Sequence, residues 1–443
     1  MAPEADQHLS FGQAVSRLAH KTRQSFRTSS EEEHNERVIY TETIFQALAS
    51  AGGMSFVTVF LVRLGSPAWL VGMYSSLPAL VTTLTVLSAG VFIQRQRSLV
   101  TTVNWSRLIF RATFGAFALM PFLPISVAPF VLVTMRSIVA VPGAVLNVGL
   151  TTLWGSATTP RRRPRMLSTR LAIQGIFAAV IGLLAGQWLQ RAPYPLNYQT
   201  LFLTVFVAGV GSVLTLSRLR LPTEIKPPPL ERGKANIKDD LKGLLPLIKS
   251  TPAFRDFALA AFVFRMGMNM PVALFPIMRV RELGATDGWI GVLLTVQRAL
   301  SVFTYFIVGS LASKRKYRRL LWIACIGVGF FPITMAMAIN PTMLLIPEVI
   351  AGIFAPGMDI FLTDTLFRVS PEDRRPSFIA ANSFLTNLIA FAGPLLGSLL
   401  AGWMGLRMAL VFCGILRIVG GFVFWRMGVG GSRERLPAAQ VMS

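Results

Sequence analysis

In a few places ionisable side chains stand inside runs of apolar residues, and these places bound the chemistry open to the chain. Glu42 is followed one and two turns on by Gln46 and Ser50. Arg136 enters another run, Arg265 is followed at i+4 by Asn269, and Glu348 and Asp359 stand eleven residues apart. Eleven residues come close to three whole helical turns, so the two carboxylates share a helix face. A charge in the middle of a bilayer costs about 2.5–3.5 kcal/mol on insertion scales, so such groups pair across helices or face water. Their chemistry is recognition and proton exchange. A guanidinium offers a planar fork to an anionic group, and a carboxylate in a partly dry site can take up and release a proton.

Bond-making chemistry has no support. All three histidines, His8, His20 and His34, precede the first apolar run, and both cysteines, Cys325 and Cys413, lie within apolar runs as packing residues. No nucleophile–base set, metal-ligand set or cofactor motif results, and no Gly-x-x-x-x-Gly-Lys loop offers a nucleotide site. The expectation is a protein that is not an enzyme and carries neither metal nor cofactor.

The elements that must position these charges are helices. Of the 443 residues 53% are apolar and only 14% charged, against roughly 25% charged in a soluble domain. Twelve continuous apolar runs can be counted, the first near 39–62 and the last near 407–427. Each is about as long as the 20 residues a bilayer core requires. The runs are continuous rather than alternating, so they read as helices and not as barrel strands.

The plan occurs twice. Leu64, Gly65, Gly72 and Gly90 recur 219 positions later as Leu283, Gly284, Gly291 and Gly309, and Arg95 and Arg97 recur as Lys314 and Lys316. Pro142-Gly143 recurs as Pro356-Gly357, and Gly182 and Gly186 recur as Gly393 and Gly397. At the first offset Gln46 and Ser50 fall on Arg265 and Asn269. The prolines predict breaks or kinks in helices 4 and 10. The paired glycines predict close helix contacts.

The net charge of +23 is distributed by loop. Basic residues crowd the loops after the second, fourth, eighth and tenth runs and the central linker, whereas the opposite loops hold little beyond Arg63, Arg191, Arg279, Arg281 and Arg407. This positive-inside pattern predicts cytoplasmic termini and linker in a plasma (inner) membrane, with lipid headgroups rather than nucleic acid as partners of the basic loops. The expected division is a tail 1–36, a six-helix bundle 37–220, a linker 221–250, a second bundle 251–428 and a tail 429–443, in a monomer.

Over residues 37–428 this architecture resembles the major facilitator superfamily. That family carries Gly-x-x-x-Asp-Arg-x-Gly-Arg-Arg after helix 2. The matching segments are Gly90-Val-Phe-Ile-Gln94-Arg95-Gln96-Arg97 and its repeat Gly309-Ser-Leu-Ala-Ser313-Lys314-Arg315-Lys316. The glycines and basic residues match, while Gln94 and Ser313 replace the aspartate. The resemblance implies that helices 1, 4, 7 and 10 line a central cavity and that Gly90, Arg95, Gly309 and Lys314 belong to gating loops. It makes Gln46, Arg136, Arg265, Asn269 and, from helix 8, Arg298 the substrate-binding candidates. Glu42, Glu348 and Asp359 become the proton-coupling candidates. Arg265 is expected to meet a carboxylate on helix 1 or 10. Arg107 and Arg111 of helix 3 are expected to snorkel toward the interface.

The implied function is a secondary active transporter working by alternating access on a small solute with an anionic group, coupled to protons. The competing reading is a membrane assembly factor or sensor that kept the fold without transporting. The topology is directly testable. A reporter active only outside the cytoplasm should stay silent when fused in the loop from Thr159 to Arg165, and activity there would reverse the orientation.

Overall fold

The computed structural model describes residues 31–94, 96, 98–157, 162–220, 251–312, 318–370 and 375–428. Arg95 and Lys314, residues 1–30 of the first tail, the whole second tail, the linker 221–250 and the loop 158–161 lie outside the described residues. Gly90 and Gly309 lie within helices.

Among the described residues the protein is all helical. The helices are α1 Glu31–Arg63, α2 Ala68–Gln94, α3 Leu99–Phe117, α4 Ala128–Ile138 continued as Ala140–Ala157, α5 Arg163–Arg191 and α6 Leu196–Leu216. The second set is α7 Pro252–Glu282, α8 Asp287–Ala312, α9 Arg318–Met337, α10 Leu345–Val369, α11 Arg375–Met404 and α12 Leu406–Arg426. Ten are long and apolar enough to cross a membrane, and Leu321–Met337 in α9 is a shorter apolar helix. The remaining one is α3, whose hydropathy is lowered by Asn104, Arg107 and Arg111.

Helix ends follow local chemistry. Gly65 and Gly284, one repeat apart, adopt φ of 77° and 62° just beyond α1 and α7. That left-handed conformation suits glycine and stops a helix. The amide of Ser66 then reaches back to the carbonyl of Leu61. Ser98 caps α3 by accepting from the amide of Thr101 at 3.3 Å. The acidic run Glu31 to Glu33 lies ahead of the expected apolar run. It forms the first turn of α1, where the helix dipole favours negative charge.

The two first helices of the repeat are interrupted at matching places. A π-helical stretch, Leu48–Met54, divides α1, and a 3-10 turn, Met270–Val272, divides α7. Pro271 explains the second, since it has no N–H to continue the ladder. Helix α4 breaks at Val139, three residues before Pro142, as predicted from that proline. Of the break or kink expected in helix 10, no break occurs. Helix α10 runs through Pro356 without interruption.

The halves meet along α2 with α11 and along α5 with α8, two contacts related by the repeat. At the end that carries the 64–67 and 283–286 turns, one buried apolar cluster spans both halves. It includes Phe60, Leu61, Phe202, Leu274, Met278 and Leu293. At the opposite end, near residues 31 and 428, the clusters are separate: Phe254, Phe257, Leu366 and Phe378 in one half, Val38, Ile39, Leu153 and Leu216 in the other.

A buried ion pair ties α1 into its half. Glu42, 1% exposed, accepts from Arg107 of α3, also 1% exposed, and from Ser212 of α6 at 3.2 Å; Arg107 donates to Ser212 as well. Breaking a buried pair by removing one partner typically costs about 3–5 kcal/mol. Glu42→Ala should therefore lower the Tm of the purified protein and its yield in the membrane by more than Thr41→Ala, a change at an exposed neighbour. Equal effects would mean that the pair contributes nothing.

Candidate functional site

The expected site residues fall into separate groups. In the first half Arg111 of α3 donates to the side-chain oxygen of Gln46 at 2.5 Å, beside the Glu42–Arg107 pair. Arg107 and Arg111 do not snorkel. Both are buried, with Arg111 at 2% exposure, because α6 closes over them. A Cβ on Gly209 of α6 would stand 2.6 Å from Cβ and Cγ of Arg111. Arg136 is half-buried and lies against the Tyr74 hydroxyl, with its guanidinium 5.3 Å from the centre of the Phe110 ring.

In the second half Arg265 donates to Asn382 at 2.8 Å and to Thr386, both on α11. The carboxylate expected on helix 1 or 10 is not its partner. Two neutral oxygens one turn apart on α11 satisfy the guanidinium instead. Asn269 donates to the carbonyl of Arg265 at 2.9 Å and packs where Gly393 leaves room. Glu348 is fully buried and paired with Arg279 of α7. Asp359 is exposed on α10 and accepts from the Tyr305 hydroxyl of α8 at 3.4 Å. Arg298 is exposed on α8, within electrostatic reach of both carboxylates. Glu348 and Asp359 thus share a helix but not an environment.

Two arginines of the sparsely charged loops make the junction between the halves. Arg63, at the end of α1, donates to Asp287 Oδ1 at 3.1 Å and to the carbonyl of Ala285 at 2.9 Å. Tyr198 of α6 donates to the other Asp287 oxygen at 3.1 Å. In the reverse direction Arg281 donates to the carbonyls of Val62, at 3.3 Å, and Ser66. Ser66 and Ala285 are repeat mates, 219 positions apart. Each half therefore sends an arginine to the same turn carbonyl of the other half. Below this clamp Gly72 faces Pro394 and Ser398 of α11, and its repeat mate Gly291 faces Gly182 and Gly186 of α5. The clamp could be anticipated from the 219-residue offset together with arginines at both turn ends, but only the fold shows which carbonyls they reach. Arg417, 2% exposed in α12, donates to the carbonyls of Gly267 and Val328 and so holds helices together.

The sequence profile of the Major Facilitator Superfamily matches residues 44–346 and 257–440, most of the chain. The protein belongs to the Major Facilitator Superfamily. No curated protein sequence matches it. Solved structures with the same fold include a mutant of the peptide transporter POT, at TM-score 0.70 and 12% identity, covering 89% of this chain and 95% of that one. The nucleoside transporter NupG, also as a mutant, gives TM-score 0.68 at 10% identity, covering 89% and 99%. A bacterial homologue of the human lysosomal transporter Spinster, inward-facing and unoccupied, gives 0.67 at 13% identity, covering 93% and 100%. The superfamily member is thus a multi-pass membrane protein of a transporter family.

The closed end makes a specific demand on Gly291. A Cβ there would stand 2.7 Å from the carbonyl oxygen of Gly182 and 2.9 Å from Cα of Gly186. Gly291→Val should wedge α5 from α8 and loosen the clamp. Maleimide labelling of a Ser66→Cys reporter, buried at 2% exposure, should rise in that background. Unchanged labelling would show that the close approach does not hold this end shut.

Proposed function

We propose that the chain is a secondary active transporter that moves a small solute bearing an anionic group by alternating access. The observation that carries this is a pair of arginines without counter-ions. Arg136 and Arg265, one in each half, lie within apolar helices, and neither forms an ion pair among the described residues. Neutral hydrogen bonds orient a guanidinium but leave its charge unmatched, and such a group favours an anion arriving from solution. Gln46, Asn269 and Arg298 complete the proposed binding set. Structures of a nucleoside and a peptide transporter share the fold, which suits small polar solutes.

Coupling falls to Asp359 in this reading. Glu42 and Glu348 are each locked to an arginine in the interior, whereas among the described residues Asp359 has the Tyr305 hydroxyl and the more distant Arg298. An exposed carboxylate near a substrate-binding guanidinium can trade a proton as the substrate comes and goes. The basic loops support cytoplasmic termini. The clamped end then faces outward, and the end with separate apolar clusters faces the cytoplasm. The two halves rock about the site between these ends.

The test begins with a thermal-shift screen of the purified protein against carboxylates, phosphates and sulfonates. A charge-assisted hydrogen bond contributes about 1.5–3 kcal/mol, so Arg265→Gln and Arg136→Gln should each weaken binding of the hit by about 10- to 100-fold. Asp359→Asn should still bind it and lose accumulation driven by a pH gradient in proteoliposomes. Normal transport by all three variants would move the site elsewhere. A protein to which no solute binds would favour the assembly-factor or sensor reading.

A further inference from the structure

A second concentration of charge lies inside the first half, where α3, α5 and α6 pack on α1. Arg107 and Arg111 of α3 and Arg170 of α5 bring three guanidiniums together, each within electrostatic reach of Glu42. Glu42 forms the only ion pair with any of them among the described residues. All four groups are buried, and the most exposed, Arg170, is at 9%. Three positive charges thus face one negative charge in a medium where an unbalanced ion is costly.

The hydrogen-bond inventory is unbalanced in the same direction. Nε of Arg107, Nε and Nη1 of Arg111, Nε of Arg170 and Nε1 of Trp154 are buried donors without an acceptor. The Trp154 ring belongs to the group because the Arg170 guanidinium lies 3.9 Å from its centre. Among the described residues the unpartnered oxygens on α1 and α3 are Glu42 Oε2, Asn104 Oδ1 and the hydroxyl of Thr113, fewer than the donors. Buried polar atoms are nearly always satisfied. Water would bring as many donors as acceptors and would cancel no charge. The missing component accepts hydrogen bonds and is negative. It is also small, since the surrounding side chains leave almost no surface. The close packing of Gly209 on the stem of Arg111 keeps that guanidinium from swinging out to find an anion elsewhere.

We propose that the interior of the first half, among Arg107, Arg111, Arg170 and Trp154, holds a small inorganic anion of the halide class. The ion balances the surplus guanidiniums and joins α3 to α5. It is not the transported solute: Arg136 and Arg265 form a different set of groups, and the inference does not depend on their role.

The test uses the purified full chain at fixed ionic strength, with chloride titrated against gluconate. The Tm should rise saturably with chloride, and equilibrium dialysis with radiolabelled chloride should give one ion per chain. Arg111→Gln removes one surplus charge and should weaken chloride binding by about tenfold or more. Arg265→Gln should leave that binding unchanged. Should Arg111→Gln fail to fold, bromide quenching in the otherwise unaltered protein replaces it. A saturable component of tryptophan fluorescence must then be present and must vanish in Trp154→Phe. No bound chloride, a response that survives Arg111→Gln or the Trp154→Phe blank, or a response lost in Arg265→Gln would each overturn the proposal. The last would assign the anion to the transport site.

Discussion

A guanidinium within a bilayer must be matched, and that constraint organises much of this protein. Arginine keeps its charge where other groups would neutralise themselves, so a helix that carries one brings it to a carboxylate, a neutral oxygen or a ring, or leaves its charge for an anion from outside the chain. The first three solutions occur here. Arg107 takes Glu42, Arg279 takes Glu348, Arg417 takes two backbone carbonyls, and Arg170 takes a tryptophan face. Helix rotation and spacing follow from these choices. Apolar surface alone cannot fix rotation, because a helix that is apolar on every side meets lipid and protein equally well.

Small residues make the matching possible. Gly209 lets α6 close over Arg111, and Gly267 approaches α12 so closely that an added Cβ would stand 2.8 Å from the amide of Arg417. The same economy of space operates between the halves, where Gly72 and Gly291 admit the neighbouring backbones. The protein is therefore tightest around its buried arginines and at the clamped end. It is looser toward the end where the apolar clusters of the two halves remain apart.

The repeat made much of the fold legible. Glycines paired at one offset recur at the stops, Gly65 and Gly284, and at both half-to-half contacts. The charged positions inside apolar runs directed attention to helices 1, 4, 7 and 10, yet the partners were not legible. Arg107 stands about 12 Å of helix rise from Leu99, near enough to an end to suggest snorkelling. Nothing local shows that α6 presents Gly209 and Ser212 to it. Arg265 was expected to need a carboxylate, but Asn382 and Thr386 meet it from α11, 117 and 121 positions away. Such choices depend on the relative rotation of distant helices. The clamping arginines were hidden for another reason: a loop charge counts toward topology whether or not it also bonds across the molecule.

The reciprocal clamp has a consequence for how this sequence can change over time. Its two shared acceptors, at Ser66 and Ala285, are main-chain carbonyls, which every residue type supplies. Drift at those two positions leaves the acceptors in place, whereas a change at Arg63 or Arg281 removes the donor itself. Selection on this junction therefore falls unevenly: the donors are constrained one residue at a time, while the turns that receive them are constrained only in shape. That shape rests on Gly65 and Gly284, whose left-handed backbone sets the direction in which the carbonyls point.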